Sequence, residues 1–308
     1  MDLTFLGTGG AWGLPELNCD CKICAEARHK GEKRYRTAFL LSGTKNILVD
    51  CGPDIALQLS GYHVEKIDAL LITHEHGDHY IGMDEFLSFK RNLPRGTFEP
   101  IPVYLTSGSW KVISARFGYL EEMGVISIHE VEPGRAYNVG TVKVMPFKTD
   151  HGPFATGSVG YIIKSGEMEE EEFRLVYTSD FIDIPESVVD LFQPDYLIIS
   201  SYWLNEPVRN RPNQMSFQRA LDYIRHWKPG KETFLVHIGD GDSVPGDPAN
   251  NMLKKNEPLN PLRSPVNGEP YPIPMNQEQW QDIVDRVISD RGLPHKVTVA
   301  RDGMTIRL

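Results

Sequence analysis

The chain has 308 residues, 40% of them hydrophobic, with 32 Lys and Arg against 42 Asp and Glu and a net charge of −10. That length buries a sizeable core and fits one α/β domain of the larger kind. The acidic balance argues against a dominant nucleic-acid surface, because phosphate binding is carried by Lys and Arg, and no run approaches the ~18 apolar residues of a membrane span.

The start, MDLTFLGTGG, has neither the basic residues nor the apolar stretch of a signal peptide, so a cytoplasmic protein is expected. LTFL reads as a strand running into the loop GTGGAWG, where Trp12 occupies the third glycine position of a dinucleotide fingerprint and so argues against one. CDCKIC then places Cys19, Cys21 and Cys24 together. In a reducing compartment such a cluster favours zinc over disulfides, and a structural zinc needs a fourth ligand from elsewhere. TAFLL and NILVD are strands around the turn SGTK, and Cys51 after them reads as a small buried side chain. Asp54 to Leu59 reads as a short helix after Pro53.

ALLIT is a buried strand that ends at THEHGDH, and MDEFLSFKRNL beyond it has helical spacing. PVYL, TVKVMPF, VGYIIK, RLVYTS, DYLIIS and TFLVH follow as short strands, and GEMEEEEF as a charged, solvated turn. Ser216 to Trp227 is an amphipathic helix. Residues 239–274 are rich in Pro, Gly and Asn and form an irregular insertion or lid within a single domain spanning 1–308. WQDIVDRVI gives a last helix, and KVTVA and GMTIRL are expected to pair as a hairpin around Arg301–Gly303.

Strand ends carry the chemistry. Asp50 ends ILVD; His74, His76, Asp78 and His79 follow ALLIT; His151, Asp180 and His237 close later segments. Side chains placed directly after apolar strands converge at one edge of a layered sheet structure, held by rigid elements. Imidazole and carboxylate together suit zinc, manganese or iron. The set exceeds what one tetrahedral ion uses and suits two ions sharing a carboxylate, roughly 3.5–4 Å apart.

HEHGDH resembles the HxHxDH signature of the metallo-β-lactamase superfamily, and the downstream order His, Asp, His is similar to its remaining motifs. The resemblance runs from Met1 to about His237 and resumes in the final strands. It implies a four-layer αββα sandwich with a dinuclear site at one edge. His74, His76 and His151 would hold one divalent ion, Asp78, His79 and His237 the other, and Asp180 would bridge them, with Asp50 orienting the site from behind. The start GTGGAWGLP, the cluster CDCKIC and the helix MSFQRAL resemble a narrower group: the cyclic phosphodiesterase of the carbon–phosphorus lyase pathway, the quinone-cofactor protein PqqB and, more distantly, tRNase Z. In that phosphodiesterase three such cysteines and a histidine hold a structural zinc. Here the fourth position is Asp240, a carboxylate that zinc accepts, with His29 as the alternative.

The same group places a histidine before xSFxxAL to assist the leaving oxygen, and this chain has Gln214 there. Glutamine donates a hydrogen bond but transfers no proton at neutral pH. The resemblance implies a hydrolase that uses two Mn2+ or Zn2+ ions and a metal-bridged hydroxide on a small cyclic or nucleotide-like phosphodiester, with Asp78 handling the proton of the nucleophile. Arg209 and Arg211 are candidates for gripping a phosphate, or plain surface charge. A non-phosphatase pathway protein like PqqB, and an RNA-processing hydrolase like tRNase Z, are the alternatives. No membrane partner is expected, nucleic acid is disfavoured, and a homodimer is left open.

Overall fold

Strands whose successive residues are nearly all apolar need cover on both faces. β2 (Ala38–Ser42), with only its last residue half-buried, and β11 (Tyr196–Ser200), buried throughout, are of this kind. The computed structural model describes residues 1–165, 172–185 and 189–308. The first half of the chain runs β1 (Asp2–Gly7), α1 (Lys22–Lys30), β2, β3 (Asn46–Val49), α2 (Ile55–Gly61), β4 (Ala69–Leu71), α3 (Gly77–Tyr80) and α4 (Phe86–Arg91). It continues through β5 (Ile101–Leu105), α5 (Ser107–Glu122) and β6 (Ile126–Glu130). The second half runs β7 (Tyr137–Val139), β8 (Val142–Lys148), β9 (Val159–Ser165), β10 (Arg174–Tyr177), β11 and α6 (Phe217–Trp227). β12 (Glu232–Val236), α7 (Gln277–Asp290), β13 (Val297–Val299) and β14 (Thr305–Arg307) complete it.

The strands form two mixed sheets, ordered β14-β1-β2-β3-β4-β5-β6 and β13-β12-β11-β10-β9-β8-β7. Alternate residues of each strand serve different layers, as the two-residue period of a strand requires. Leu3, Phe5, Phe39, Leu41, Ile47 and Val49 meet Tyr161, Ile163, Ile198 and Phe234 between the sheets. Phe5 and Phe234 approach to 5.2 Å between ring centroids. Leu40, Leu48 and Leu70 face outward under Ile55 of α2 and Ile113 and Phe117 of α5. On the other side Ile162, Leu197 and Leu235 lie under α6 and α7. The result is the four-layer αββα sandwich expected from the sequence.

The α6 helix shows why these elements form. Ser216 caps it by accepting from Arg219 N at 3.2 Å. Phe217, Ala220, Leu221, Ile224 and Trp227 then fall on one buried face. Each large side chain so buried contributes about 1.5–3 kcal/mol.

The structure departs from the sequence expectation in three places. KVTVA and GMTIRL do not pair as a hairpin: β13 lies parallel beside β12 in the second sheet, and β14 antiparallel beside β1 in the first. The turn at Gly303 forms as expected, with φ at 83°, but each strand finds a distant partner with more apolar surface to share. Helix α5 has no clear sequence signature, because Ser, Gly and aromatic residues interrupt its apolar period. Nor has α1, a short charged helix that begins inside the cysteine cluster. Of GEMEEEEF, residues 166–171 lie outside the described residues. The 239–274 segment contains a short 3-10 turn, Pro248–Asn251, is folded on itself by the isolated bridge Asp242–Asn256, and is tied back by the bridge Pro207–Pro258.

Candidate metal centre

In each sheet neighbouring parallel strands end together. β3 and β4 run parallel in the first sheet, and β10, β11 and β12 in the second. Their C-terminal ends, with the turn after β8, carry Asp50, His74 to His79, His151, Asp180 and His237. Asp50, Ser179 and His237 adopt φ of 59°, 58° and 59°. A non-glycine residue held there stores about 1–3 kcal/mol of strain, which the surrounding packing must override. Gly52 lets the histidine loop approach: a Cβ at that position would lie 2.2 Å from the carbonyl oxygen of Asp78.

The structure brings the expected residues into two adjoining groups. The side chains of His74, His76 and His151 offer nitrogens within 4.8 Å of one another, and Asp78, His79, Asp180 and His237 form a second set on the same criterion. Asp180 stands between them, its Oδ2 2.9 Å from His237 Nε2, 3.4 Å from His79 Nε2 and 3.9 Å from His151 Nε2. Asp78 Oδ2 lies 3.2 Å from His79 Nε2 and 3.5 Å from His237 Nε2. His76 Nδ1 faces His151 Nε2 at 3.0 Å.

Partners behind the cluster fix which nitrogen faces inward. Asp50 is fully buried and accepts from Thr73 N at 2.9 Å, from the Thr73 hydroxyl, and from His79 Nδ1 at 2.8 Å. His79 therefore turns Nε2 toward Asp78 and Asp180. His151 Nδ1 donates to the Asn213 carbonyl at 3.0 Å, which leaves its Nε2 as an acceptor. Such outer partners orient and strengthen metal-binding imidazoles. His74 Nε2 and Asp180 Oδ1 are buried with no hydrogen-bond partner among the described residues. An unsatisfied buried polar atom costs about 1–3 kcal/mol. Buried donors aimed at a common centre from two sheets fit divalent cations, and the imidazole–carboxylate mix fits zinc or manganese.

Charge within the cluster follows from burial and from these neighbours. Burial and the neighbouring imidazoles of His79 and His151 hold His74 well below the usual imidazole range. Burial opposes charge on His79 too, but Asp78, Asp50 and Asp180 outweigh it and hold His79 well above that range. Burial likewise opposes charge on Asp180, yet His237 and His79 hold it well below the usual carboxylate range. Burial of Asp50 pushes its pKa up against the pull of His79. Three carboxylates and five imidazoles therefore share little solvent and much charge.

Gln214 is buried beside this cluster, and its Nε2 donates to Asp180 Oδ2 at 2.9 Å. It holds the central carboxylate, a contact the sequence does not reveal. It also lines a cavity of about 570 Å³ shared with Trp12, Tyr202, Arg209, Arg211 and Lys254. Trp12 is 65% exposed, so an indole face is open to an incoming ligand. In the sequence Trp12 stands out only as a misfit in a glycine loop, and Tyr202 and Lys254 carry no signal at all.

The cysteine cluster forms a separate centre. Cys19, Cys21, Cys24 and Asp240 are all buried and offer ligand atoms within 4.8 Å of one another. Cys24 Sγ lies 3.0 Å, Cys21 Sγ 3.5 Å and Cys19 Sγ 3.7 Å from Asp240 Oδ2. Backbone N–H groups of Cys21, Cys24 and Glu16 donate to Cys19, Cys21 and Cys24 sulfurs at 3.4, 3.5 and 3.3 Å. The hydrogen bond from Cys24 lowers the Cys21 thiol pKa and the same contact raises that of Cys24, so the two sulfurs share a proton. His29, the alternative fourth ligand, has an 83% exposed side chain near Glu26 and lies outside the cluster. Cys51 is a buried free thiol apart from both centres.

The sequence model of the β-lactamase superfamily domain matches residues 45–238, a span that includes every residue of the two imidazole–carboxylate groups. Among curated proteins, an octanoyltransferase of Porphyromonas gingivalis is 28% identical over 77% of this chain and 46% of its own length. A ribonuclease Z of Clostridium tetani is 32% identical over 37% of this chain and 31% of its own. The chain thus spans about half the length, or less, of these relatives. Among solved structures, a diphosphatase from the PhnP family superposes with a TM-score of 0.69 at 22% identity, covering 100% of this chain and 97% of the other. Zn2+-bound PqqB from Methylobacterium extorquens gives 0.71 at 18% identity, with 100% of both chains covered.

Proposed function

The chain belongs to the β-lactamase superfamily, and from that premise we propose that it is a dinuclear-metal phosphodiesterase acting on small, activated phosphodiesters such as five-membered cyclic or aryl esters. The observation that carries this reading is Asp180 standing between two groups of imidazoles, beside a cavity of about 570 Å³. His74, His76 and His151 would hold one ion and Asp78, His79 and His237 the other, with Asp180 shared. When bound, two such ions supply Lewis acidity that lowers the pKa of water and offsets charge on phosphoryl oxygens.

The chain's own groups then divide the work. Asp78 Oδ2, which lies between His79 and His237, would accept a hydrogen bond from the attacking water and orient it toward phosphorus. Asp50 keeps His79 in one tautomer through the 2.8 Å contact at Nδ1. Gln214 steadies Asp180 through its Nε2 and lines the cavity through which the leaving oxygen would depart. It has no proton to transfer, so the alkoxide of an unactivated ester leaves without general acid help. Arg209 and Arg211 line the same cavity and make no ion pair with the described residues, which leaves two guanidiniums for an anionic substrate.

The test is a comparison of leaving groups. General acid catalysis is typically worth about 10²–10⁴ in rate, so bis-aryl and strained cyclic phosphates should be cleaved at least about 100-fold faster than dialkyl esters, relative to their uncatalysed reactivity. Similar rates for the two classes would contradict this account of Gln214. An RNA substrate is the second reading, favoured by the ribonuclease Z relative. The net charge of −10 argues against it, because RNA binding draws on Lys and Arg. Cleavage of a precursor tRNA in the same assay would overturn the small-substrate choice.

A further inference from the structure

Lys254 and Lys255 belong to the irregular 239–274 segment, yet both ammonium groups reach back to the cysteine cluster. Lys254 Nζ lies 2.5 Å from Asp240 Oδ2 and 3.0 Å from Cys19 Sγ, and it also pairs with Glu16, whose backbone N–H donates to Cys24 Sγ. Lys255 is buried, and its Nζ donates to the carbonyls of Asp240 at 2.5 Å and Asp242 at 3.0 Å. Three thiolates and a carboxylate around a divalent ion leave a net double negative charge in a site that is almost wholly buried. Charge so placed needs a nearby counter-charge. A histidine at position 240 would leave one negative charge fewer.

We propose that Lys254 is the charge-compensating partner of a zinc site built from the three cysteines and one aspartate, and that Asp240 and Lys254 act as one unit. The inference rests on a metal binding at Cys19, Cys21, Cys24 and Asp240, and is independent of what the imidazole cluster does. It also gives the 239–274 segment a fixed point. Lys254 lines the cavity that Gln214 shares, so the ion held by the cysteines anchors one wall of the pocket beside the imidazole cluster.

Cobalt substitution reads this site alone, because only thiolate ligands give the intense sulfur-to-cobalt charge-transfer band. In the full-length metal-stripped protein, wild type binds cobalt with that band. Lys254→Met should weaken cobalt affinity by about 10- to 100-fold, the range seen when an outer partner of a metal site is lost. Lys254→Arg keeps the charge and should stay close to wild type. The double variant Asp240→His, Lys254→Met removes both the extra charge and its partner, and should recover most of the loss. If Lys254→Met does not fold by circular dichroism, Asp240→His alone decides: with the ammonium left facing a less negative site, it should bind more weakly than wild type. Unchanged or tighter binding in the decisive variant overturns the proposal. So does a wild-type protein with no charge-transfer band, since the ammonium would then itself be the cation of the cluster.

Discussion

His76 and Gln214 test the site residue by residue. His76 is only half-buried and contacts the cluster through Nδ1, facing His151 Nε2 at 3.0 Å. Removing its ring therefore disturbs little packing. His76→Ala should keep the native circular dichroism spectrum while diester hydrolysis falls more than about 100-fold, since losing even an outer partner costs 10–100-fold. A variant that retains most of the wild-type rate would remove His76 from the site. Gln214→His makes the opposite kind of change, placing a proton donor beside Asp180. Its expected effect is selective: hydrolysis of dialkyl esters rises relative to aryl esters, narrowing the gap set by leaving-group basicity. A ratio that stays fixed would show that another group already supplies the proton.

At the scale of elements, the proposed cysteine-held metal would make the cysteine loop and α1 depend on that ion more than on their own propensity. Helix α1 has an apolar face of Ile23, Cys24 and Ala27 only, and its N-cap is Cys21. Cys21→Ser should lower the melting temperature by roughly 5–15 °C and leave activity in the folded fraction, because a structural metal contributes folding free energy directly. A melting curve superimposable on wild type would show the thiols to be bystanders. The same dependence explains what can be read from the sequence. Strands such as those containing Leu40, Leu70 and Ile198 announce themselves because both faces are buried and all residues but a closing serine in two of them are apolar or aromatic. Candidate ligands announce themselves because five histidine- or aspartate-bearing segments each follow such a strand. Helix α5 does not, since its core contacts Ser109, Ile113, Phe117 and Leu120 sit among Ser, Gly and charged residues. The final strands mislead for another reason. A turn residue at Gly303 is legible, but the choice of partner depends on β1 and β12, far away in sequence. Tyr202 and Lys254 reach the cavity only through tertiary folding, and no local pattern marks them.

The two sheets are joined across the molecule by the segment between β13 and β14, and Asp302 pins that crossing. It accepts from the Thr8 hydroxyl at 2.7 Å and from Tyr35 N at 2.6 Å. Burial pushes its pKa up from 3.8 to about 6, against the pull of those hydrogen bonds and of Arg34. The folded state thus holds the proton more tightly than the unfolded chain. The contribution to stability is full below pH 3.8 and is lost as pH rises through about 6, on the order of 2–3 kcal/mol in all. Urea unfolding across that window should show wild type losing stability relative to Asp302→Asn, and parallel pH profiles would contradict the assignment. Above this scaffold stands the claim that the edge of the sandwich is a two-metal phosphodiesterase. Its most direct test is the hydrolysis of bis(p-nitrophenyl) phosphate by metal-stripped protein as zinc or manganese is added back, plotted against ions bound per chain. The account predicts no turnover without metal and a rate that saturates at about two ions per chain beyond the one held by the cysteines. Full activity in the stripped protein, or none on any diester with both positions filled, would contradict it.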